Sequence, residues 1–296
     1  MIMTNLPTGS IVALITPFHE DGSINFEKID ELVNWHIEQG TDAILVLGTT
    51  GESSTMSHEE DDAVLAAALK AADGRIPVIA GAGSNNTQTQ LEKSKKYDAM
   101  GAAAVLLITP YYNKANAEGL ARHFETVADQ ISIPVILYNV PGRTGVNLPV
   151  SVVKRLAKHP NIQAIKEASG NISYAADLAK ILNEDFIMYS GNDDMIVPML
   201  SLGASGVISV LANVVPDKTH ELCQAWFEGD VNRAKDLQLD YLDVVRGLFI
   251  EVNPIPVKEA LNIMGKEVGG YRLPLCEMAP ENQQVLAKSM KEAGIV

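Results

Sequence analysis

Eight short apolar runs, separated by amphipathic stretches, constrain this chain more than any other feature. They are Ile11–Ile15, Ala43–Leu47, Ile76–Ala80, Ala103–Ile108, Val135–Tyr138, Ile162–Ile165, Phe186–Tyr189 and Gly206–Val210. Apart from Gln163 and Ser209 each is continuously apolar rather than alternating, the pattern of parallel strands covered on both faces. Between them, Phe26–Gln39 sets Phe26, Ile29, Leu32, Val33, His36 and Ile37 at helical spacing. Residues 59–72 begin with acids and end at Gly74, a helix stop signal. Similar stretches cover 87–100, 117–130, 149–158, 173–182, 194–202 and 217–228. Eight strand–helix units in series predict an α/β fold, a (β/α)8 TIM barrel. A doubly wound sheet is the rival, but its glycine-rich loop after the first strand is missing, since that run ends Thr16-Pro17-Phe18. Residues 231–250, 255–264 and 281–293 read as further helices. The expected organisation is a barrel over 1–230 and a C-terminal helical extension over 231–296.

Charge narrows the function classes. Of 296 residues, 23 are Lys or Arg and 37 are Asp or Glu, giving a net charge of −14. A nucleic-acid binder needs a basic face, and an anionic membrane surface repels an acidic one, so neither partner is expected. The two cysteines, Cys223 and Cys276, make no disulfide framework, and a reducing cytoplasm is the simpler expectation. Met1-Ile-Met-Thr-Asn-Leu-Pro7 has no basic start and no apolar stretch of the kind a secretory leader carries. No apolar run approaches the roughly 20 residues needed to span a bilayer.

In a TIM barrel the chemistry sits at the C-terminal ends of the strands. Lys166, directly after the sixth run, is the sharpest feature there. A lysine in an apolar strand must snorkel, find a partner or lose its charge. Its same-face neighbours Ala164 and Ala168 are small and leave room for a long side chain. Taken alone, such a lysine is more often structural. Tyr138 strengthens the case: it is the fifth residue from Pro134, as Lys166 is the fifth from Ile162. Neighbouring strands lie about 4.8 Å apart, so the two can meet if their pleats agree. A neutral amine beside a phenol supplies a nucleophile and a proton carrier, which imine chemistry needs. Gly48-Thr-Thr-Gly-Glu52 reads either as a nest for a small anion or as an ordinary turn. Arg143, between Pro141 and Gly145, could fork onto a carboxylate or lie idle at the surface. Tyr111-Tyr112 could equally be rim packing.

Other motifs carry no chemistry. Gly81-Ala-Gly83 lacks the third glycine of a dinucleotide fingerprint, because position 86 is Asn86. Ser57 and Glu60 form a capping box rather than part of a zinc helix, since no second histidine stands four residues after His58. Asp193-Asp194 is explained by a helix N-terminus. The six histidines show no metal-ligand spacing, and neither cysteine has a histidine nearby.

Together, Gly48-Thr-Thr-Gly-Glu-Ser53, Tyr111-Tyr112, Tyr138-Asn-Val-Pro-Gly-Arg-Thr-Gly145 and Lys166-Glu-Ala-Ser-Gly-Asn171 resemble the pyruvate-dependent class I aldolases and lyases, and among them the dihydrodipicolinate synthases. The resemblance runs from Gly9 to Gly294 and includes Gly206-Val-Ile-Ser-Val and Asn253-Pro-Ile-Pro-Val-Lys258. It implies a Schiff-base enzyme of the carbon–oxygen lyase class. Such an enzyme condenses pyruvate with L-aspartate 4-semialdehyde to 4-hydroxy-tetrahydrodipicolinate, on the way to diaminopimelate and lysine. Lys166 would form the imine. Tyr138, Thr49 and Tyr112 would relay protons, Tyr112 reaching in from a neighbouring subunit. Thr50 would hold the pyruvate carboxylate and Arg143 that of the second substrate, while Gly191 and Ile208 line the pocket. No redox cofactor or metal is implied, and a homotetramer built from two dimers is.

Sialic-acid lyases and keto-deoxy sugar-acid aldolases are the rivals within the family. Thr49-Thr50 stands where the lyases carry Ser-Thr, and Arg143 where they usually lack an arginine. A catalytically dead binding relative is disfavoured by the presence of Lys166, both tyrosines and both threonines. Many relatives are inhibited by lysine; the matching positions are Ser53, Ser54, His58, Asp61, Asn85, Thr89 and Tyr111. Asp61 replaces a histidine and Thr89 a glutamate of the inhibited pattern, so weak or no inhibition is expected.

Overall fold

The structure, a computed structural model, describes residues 6–296. Most of the leader reading falls on the first five residues, outside that range. All eight apolar runs become strands: β1 (Gly9–Ala13), β2 (Ala43–Val46), β3 (Val78–Gly81), β4 (Ala104–Ile108), β5 (Val135–Asn139), β6 (Ile162–Glu167), β7 (Ile187–Ser190) and β8 (Gly206–Ser209). They follow chain order around a closed barrel. Every strand residue is buried except Ile108 and Ile187, which are half-buried. Burial on both faces is what makes the runs continuously apolar.

The boundaries shift where a side chain replaces a strand partner. The first run reads as Ile11–Ile15, yet β1 ends at Ala13. The Ile15 N–H donates to the Asn213 side-chain oxygen (3.2 Å), and the Asn213 amide nitrogen donates back to the Ala13 carbonyl (2.8 Å). The long stretch 231–250 is two helices, Val231–Asp240 and Leu242–Leu248, broken at Tyr241. The segment after β5 that carries Arg143 holds a short helix, Pro141–Thr144. Pro141 pre-sets its first turn, and Gly145, at φ +68°, ends it.

The chain forms two compact units. One covers Val78–Ile208 with the few described residues before Gly9; the other joins Gly9–Pro77 to Ser209–Val296. The second unit therefore brings β1 and β2 together with the C-terminal helices, which include Ile255–Ile263 and Pro280–Glu292. Among the described residues no helix is long and apolar enough to cross a membrane.

Candidate active site

The pairing of β5 with β6 carries a bulge. Val135 pairs with Ile162, but Ile136 pairs with Ala164, so Gln163 is an extra residue on β6. From there the register runs Leu137–Ile165, Tyr138–Lys166 and Asn139–Glu167. Because side chains alternate along a strand, a one-residue slip would turn Lys166 to the other face. The bulge is what brings the lysine level with the tyrosine. Lys166 Nζ lies 4.5 Å from the centroid of the Tyr138 ring.

Lys166 is only 6 % exposed. Burial disfavours its ammonium and brings the pKa down to about 8; the Asp193 charge opposes this and the Arg143 charge adds to it. A useful fraction of neutral amine is thus present near neutral pH. Gly191 follows β7 and donates its N–H to the Glu167 carbonyl at 2.7 Å. A Cβ placed there would stand 2.6 Å from Ala168 Cβ and 3.1 Å from Lys166 Cε. Only a glycine leaves the lysine its channel. Ile208, in β8, is buried. Arg143 sits exposed in the short helix after β5.

Asp193 and Asp194 stand in the first turn of a short helix, Asp193–Met195, as expected, but Asp193 is also buried and its charge acts on Lys166, while Asp194 is exposed. The signal was present as a second acid directly after Gly191-Asn192, but helix capping explained it more cheaply. Glu167 was also missed, although a charged residue adjoining Lys166 in an apolar strand is the same kind of signal. Tyr112 is 91 % exposed and holds a left-handed backbone, φ +67°. Its ring is not packed into this chain's core.

The Gly48–Glu52 loop lies in the other unit and is held by that unit's own residues. Thr16 Oγ1 donates to the Gly51 carbonyl at 2.6 Å. Asn253 Nδ2 donates to Thr50 Oγ1 at 3.0 Å, and Lys258 Nζ donates to Glu52 Oε1 at 2.9 Å with both side chains fully buried. Lys258 also lies 4.2 Å above the Phe18 ring. The left-handed residues of this turn are Leu47 and Glu52 rather than its glycines. Gly51 is needed for close approach instead: a Cβ would meet Leu47 N at 3.0 Å and Leu14 O at 3.2 Å. The N–H groups of Gly51 and Glu52 bond to Gly48 O and Thr49 O within the turn, so a nest for an anion is smaller than the sequence suggested. Thr50 is buried, with its hydroxyl oxygen already accepting from Asn253.

Of the positions matched to lysine inhibition, Asp61 is buried and accepts the Ser53 hydroxyl at 3.2 Å. Asn85 Nδ2 donates to the Tyr111 carbonyl at 3.2 Å, and Thr89 lies in the first turn of the helix capped by Asn86. Among the described residues, no group of three or more His, Cys, Asp or Glu is placed to hold a metal ion. Ser57 and Glu60 do form the capping box, and Glu60 also takes a two-pronged bond from Arg272 at 2.7 and 2.8 Å.

The model of the dihydrodipicolinate synthetase family matches residues 6–293. The chain belongs to the dihydrodipicolinate synthetase family. A 4-hydroxy-tetrahydrodipicolinate synthase from Clostridium perfringens is 51 % identical over 288 residues, covering 97 % of this chain and 99 % of the relative. The corresponding synthase from Caldicellulosiruptor saccharolyticus is 52 % identical over 287 residues, 97 % of each chain. The dihydrodipicolinate synthase of Acinetobacter baumannii, solved in complex with pyruvate, superposes with a TM-score of 0.95 at 44 % identity, covering 98 % of this chain and 99 % of that one. Family and fold thus agree with the barrel described above.

Proposed function

We propose that this chain condenses pyruvate with L-aspartate 4-semialdehyde through a Schiff base on Lys166, giving 4-hydroxy-tetrahydrodipicolinate for the synthesis of diaminopimelate and lysine. The observation that carries the reading is the buried Lys166, level with Tyr138 and with its pKa near 8. Neutral Nζ attacks the ketone carbon of pyruvate. The carbinolamine loses water, and its hydroxyl needs a proton to leave. The iminium then withdraws electrons from the methyl group, a proton comes off, and the enamine carbon attacks the aldehyde. The amine of the second substrate displaces Lys166 and closes the ring. Each step moves a proton, and the Tyr138 phenol, whose ring centroid lies 4.5 Å from the amine, is assigned as its carrier, with Thr49 and Tyr112 as the further members of the relay.

Thr50 is assigned to the pyruvate carboxylate. Its hydroxyl oxygen accepts from Asn253, which leaves the hydroxyl proton to be donated elsewhere. Arg143 is assigned to the carboxylate of the semialdehyde, and Gly191 and Ile208 to the pocket wall. The imine itself serves as electron sink, so the reaction calls for no redox cofactor. A partner's Tyr112 would explain why this side chain stands in solvent on its own chain, in keeping with a homotetramer of two dimers in the cytoplasm.

The test is pyruvate-dependent reduction with borohydride, followed by peptide mapping. Lys166 carries the label and activity is lost, and the rate of trapping rises with pH through about 8 as the amine loses its proton. Labelling of another lysine overturns the mechanism. A parallel assay with N-acetylmannosamine in place of the semialdehyde separates the synthase from a sialic-acid lyase.

A further inference from the structure

The segment that carries Arg143 leaves β5 at Asn139 and is complete by Leu148. Its two ends are held by one side chain. Asn139 Oδ1 accepts the Leu148 N–H at 2.9 Å, and Asn139 Nδ2 donates to Asn147 Oδ1 at 2.8 Å. The same Nδ2 donates to Glu167 Oε2 at 2.8 Å, while Glu167 Oε1 accepts the Ser169 N–H at 2.6 Å. Asn139 and Glu167 are register partners, one residue beyond Tyr138 and Lys166. Alternation along the strands puts them on the opposite face from the amine and the phenol. Both are buried.

We propose that Glu167 and Asn139 are positioning residues for the second substrate: a buried staple that closes the Val140–Leu148 segment and so aims Arg143. This rests on the assignment of Arg143 to the semialdehyde carboxylate. A carboxylate only accepts hydrogen bonds, so Glu167 dictates which end of the Asn139 amide faces it. The nitrogen must point to Glu167, and the oxygen is thereby turned to the Leu148 N–H. Thr144 tightens the segment from within, its hydroxyl lying 2.9 Å from the Val146 carbonyl. From outside, the Tyr174 hydroxyl donates to the Leu148 carbonyl at 2.5 Å. None of these groups needs to touch a substrate. Their effect is confined to where the guanidinium sits, and a fork onto a carboxylate is sensitive to small displacements.

The isosteric Glu167→Gln tests this. A glutamine amide offers one oxygen to two donors, Asn139 Nδ2 and Ser169 N–H, so one of the two bonds is lost whichever way it turns. The exposed Asn147→Ala removes a single strand of the staple without disturbing the core. In steady-state assays Glu167→Gln raises KM for aspartate semialdehyde at least tenfold and Asn147→Ala raises it less. KM for pyruvate and the rate of pyruvate-dependent borohydride trapping stay within twofold of the parent. In an Arg143→Ala background, Glu167→Gln raises KM no further, because the group being aimed is gone. An unchanged semialdehyde KM, an equal loss for both substrates, or an additive effect in the Arg143→Ala background overturns the staple. Because the parent's condensation and trapping are measured alongside, these results leave the proposed function standing, whereas an inactive, untrapped parent removes the function itself.

Discussion

Replacing Lys258 by methionine strips a fully buried carboxylate of its counter-ion. Lys258 and Glu52 are both inaccessible to solvent and bonded at 2.9 Å. Burial pulls the lysine pKa below its ordinary range even though the Glu52 charge opposes this. The ammonium also rests on the Phe18 ring at 4.2 Å and near the Tyr271 ring at 5.4 Å. Methionine fills similar volume and keeps the contact with the rings, but Glu52 must then stay charged without a partner or take up a proton. Neutralising an ordinary glutamate at pH 7 costs about 3.7 kcal/mol, at 1.36 kcal/mol per pH unit above a typical pKa of 4.3. That figure agrees with the roughly 3–5 kcal/mol seen when one partner of a buried pair is removed. The pH dependence has a definite sign. In the variant the folded chain binds a proton that the unfolded chain lacks at pH 7, so its stability relative to the parent rises as the pH falls. By pH 5 the neutralisation cost drops to about 1 kcal/mol. Urea unfolding of parent and Lys258→Met at the two pH values measures both numbers. A loss of about 3–4 kcal/mol at pH 7 that shrinks to about 1 at pH 5 is expected. Equal urea midpoints at pH 7, or a loss that does not shrink on acidification, would refute the reasoning.

Three further outcomes follow from the same structure. Gly191→Ala forces a methyl against Lys166 Cε and Ala168, and trapping of pyruvate at Lys166 should slow at least tenfold while the circular dichroism spectrum is unchanged. His36 is held neutral by burial first and by the Lys266 charge second, with its pKa pushed down to about 3. Its contribution is present above the unfolded value near 6.5 and is lost as the pH falls towards 3, at about 1.4 kcal/mol per unit. His36→Gln, which keeps a partner for Thr41, should therefore lower the midpoint of acid unfolding. L-lysine should inhibit weakly: Thr89 lacks the carboxylate that would hold an ammonium, and Asp61 is buried against Ser53. Half-inhibition well below millimolar lysine at saturating pyruvate would contradict this.

The eight strands were legible because parallel strands covered on both faces leave apolar runs. Lys166 was legible because a charge directly after such a run stands out. Its pairing with Tyr138 was reached by counting from Pro134 and Ile162, yet Ile162 pairs with Val135, and the bulge at Gln163 restores the level. Gln163 is the one polar residue among Ile162-Gln-Ala-Ile165, but a lone glutamine does not by itself mark a bulge. Asp193 was hidden by a cheaper local explanation, and Glu167 by its neighbour. Asn253 and Lys258 entered only as part of a family motif, because their partners Thr50 and Glu52 lie more than 200 residues away. Local periodicity carries no trace of contacts made over such separations.

The separation between Glu52 and Lys258 also has a temporal meaning. The two residues are 206 positions apart. A ribosome adding about 5–20 residues per second needs roughly 10–40 s to reach the second after making the first. During that interval residues 78–208 emerge as one uninterrupted stretch, whereas residues 9–77 await a counter-charge that has not yet been made. A nascent chain halted before Lys258 carries a carboxylate that can be buried only at a cost, so the Gly48–Glu52 turn stays open to water and to proteases. Arrival of the lysine is then a late checkpoint, and only a chain translated past it can seal the loop that carries Thr49 and Thr50.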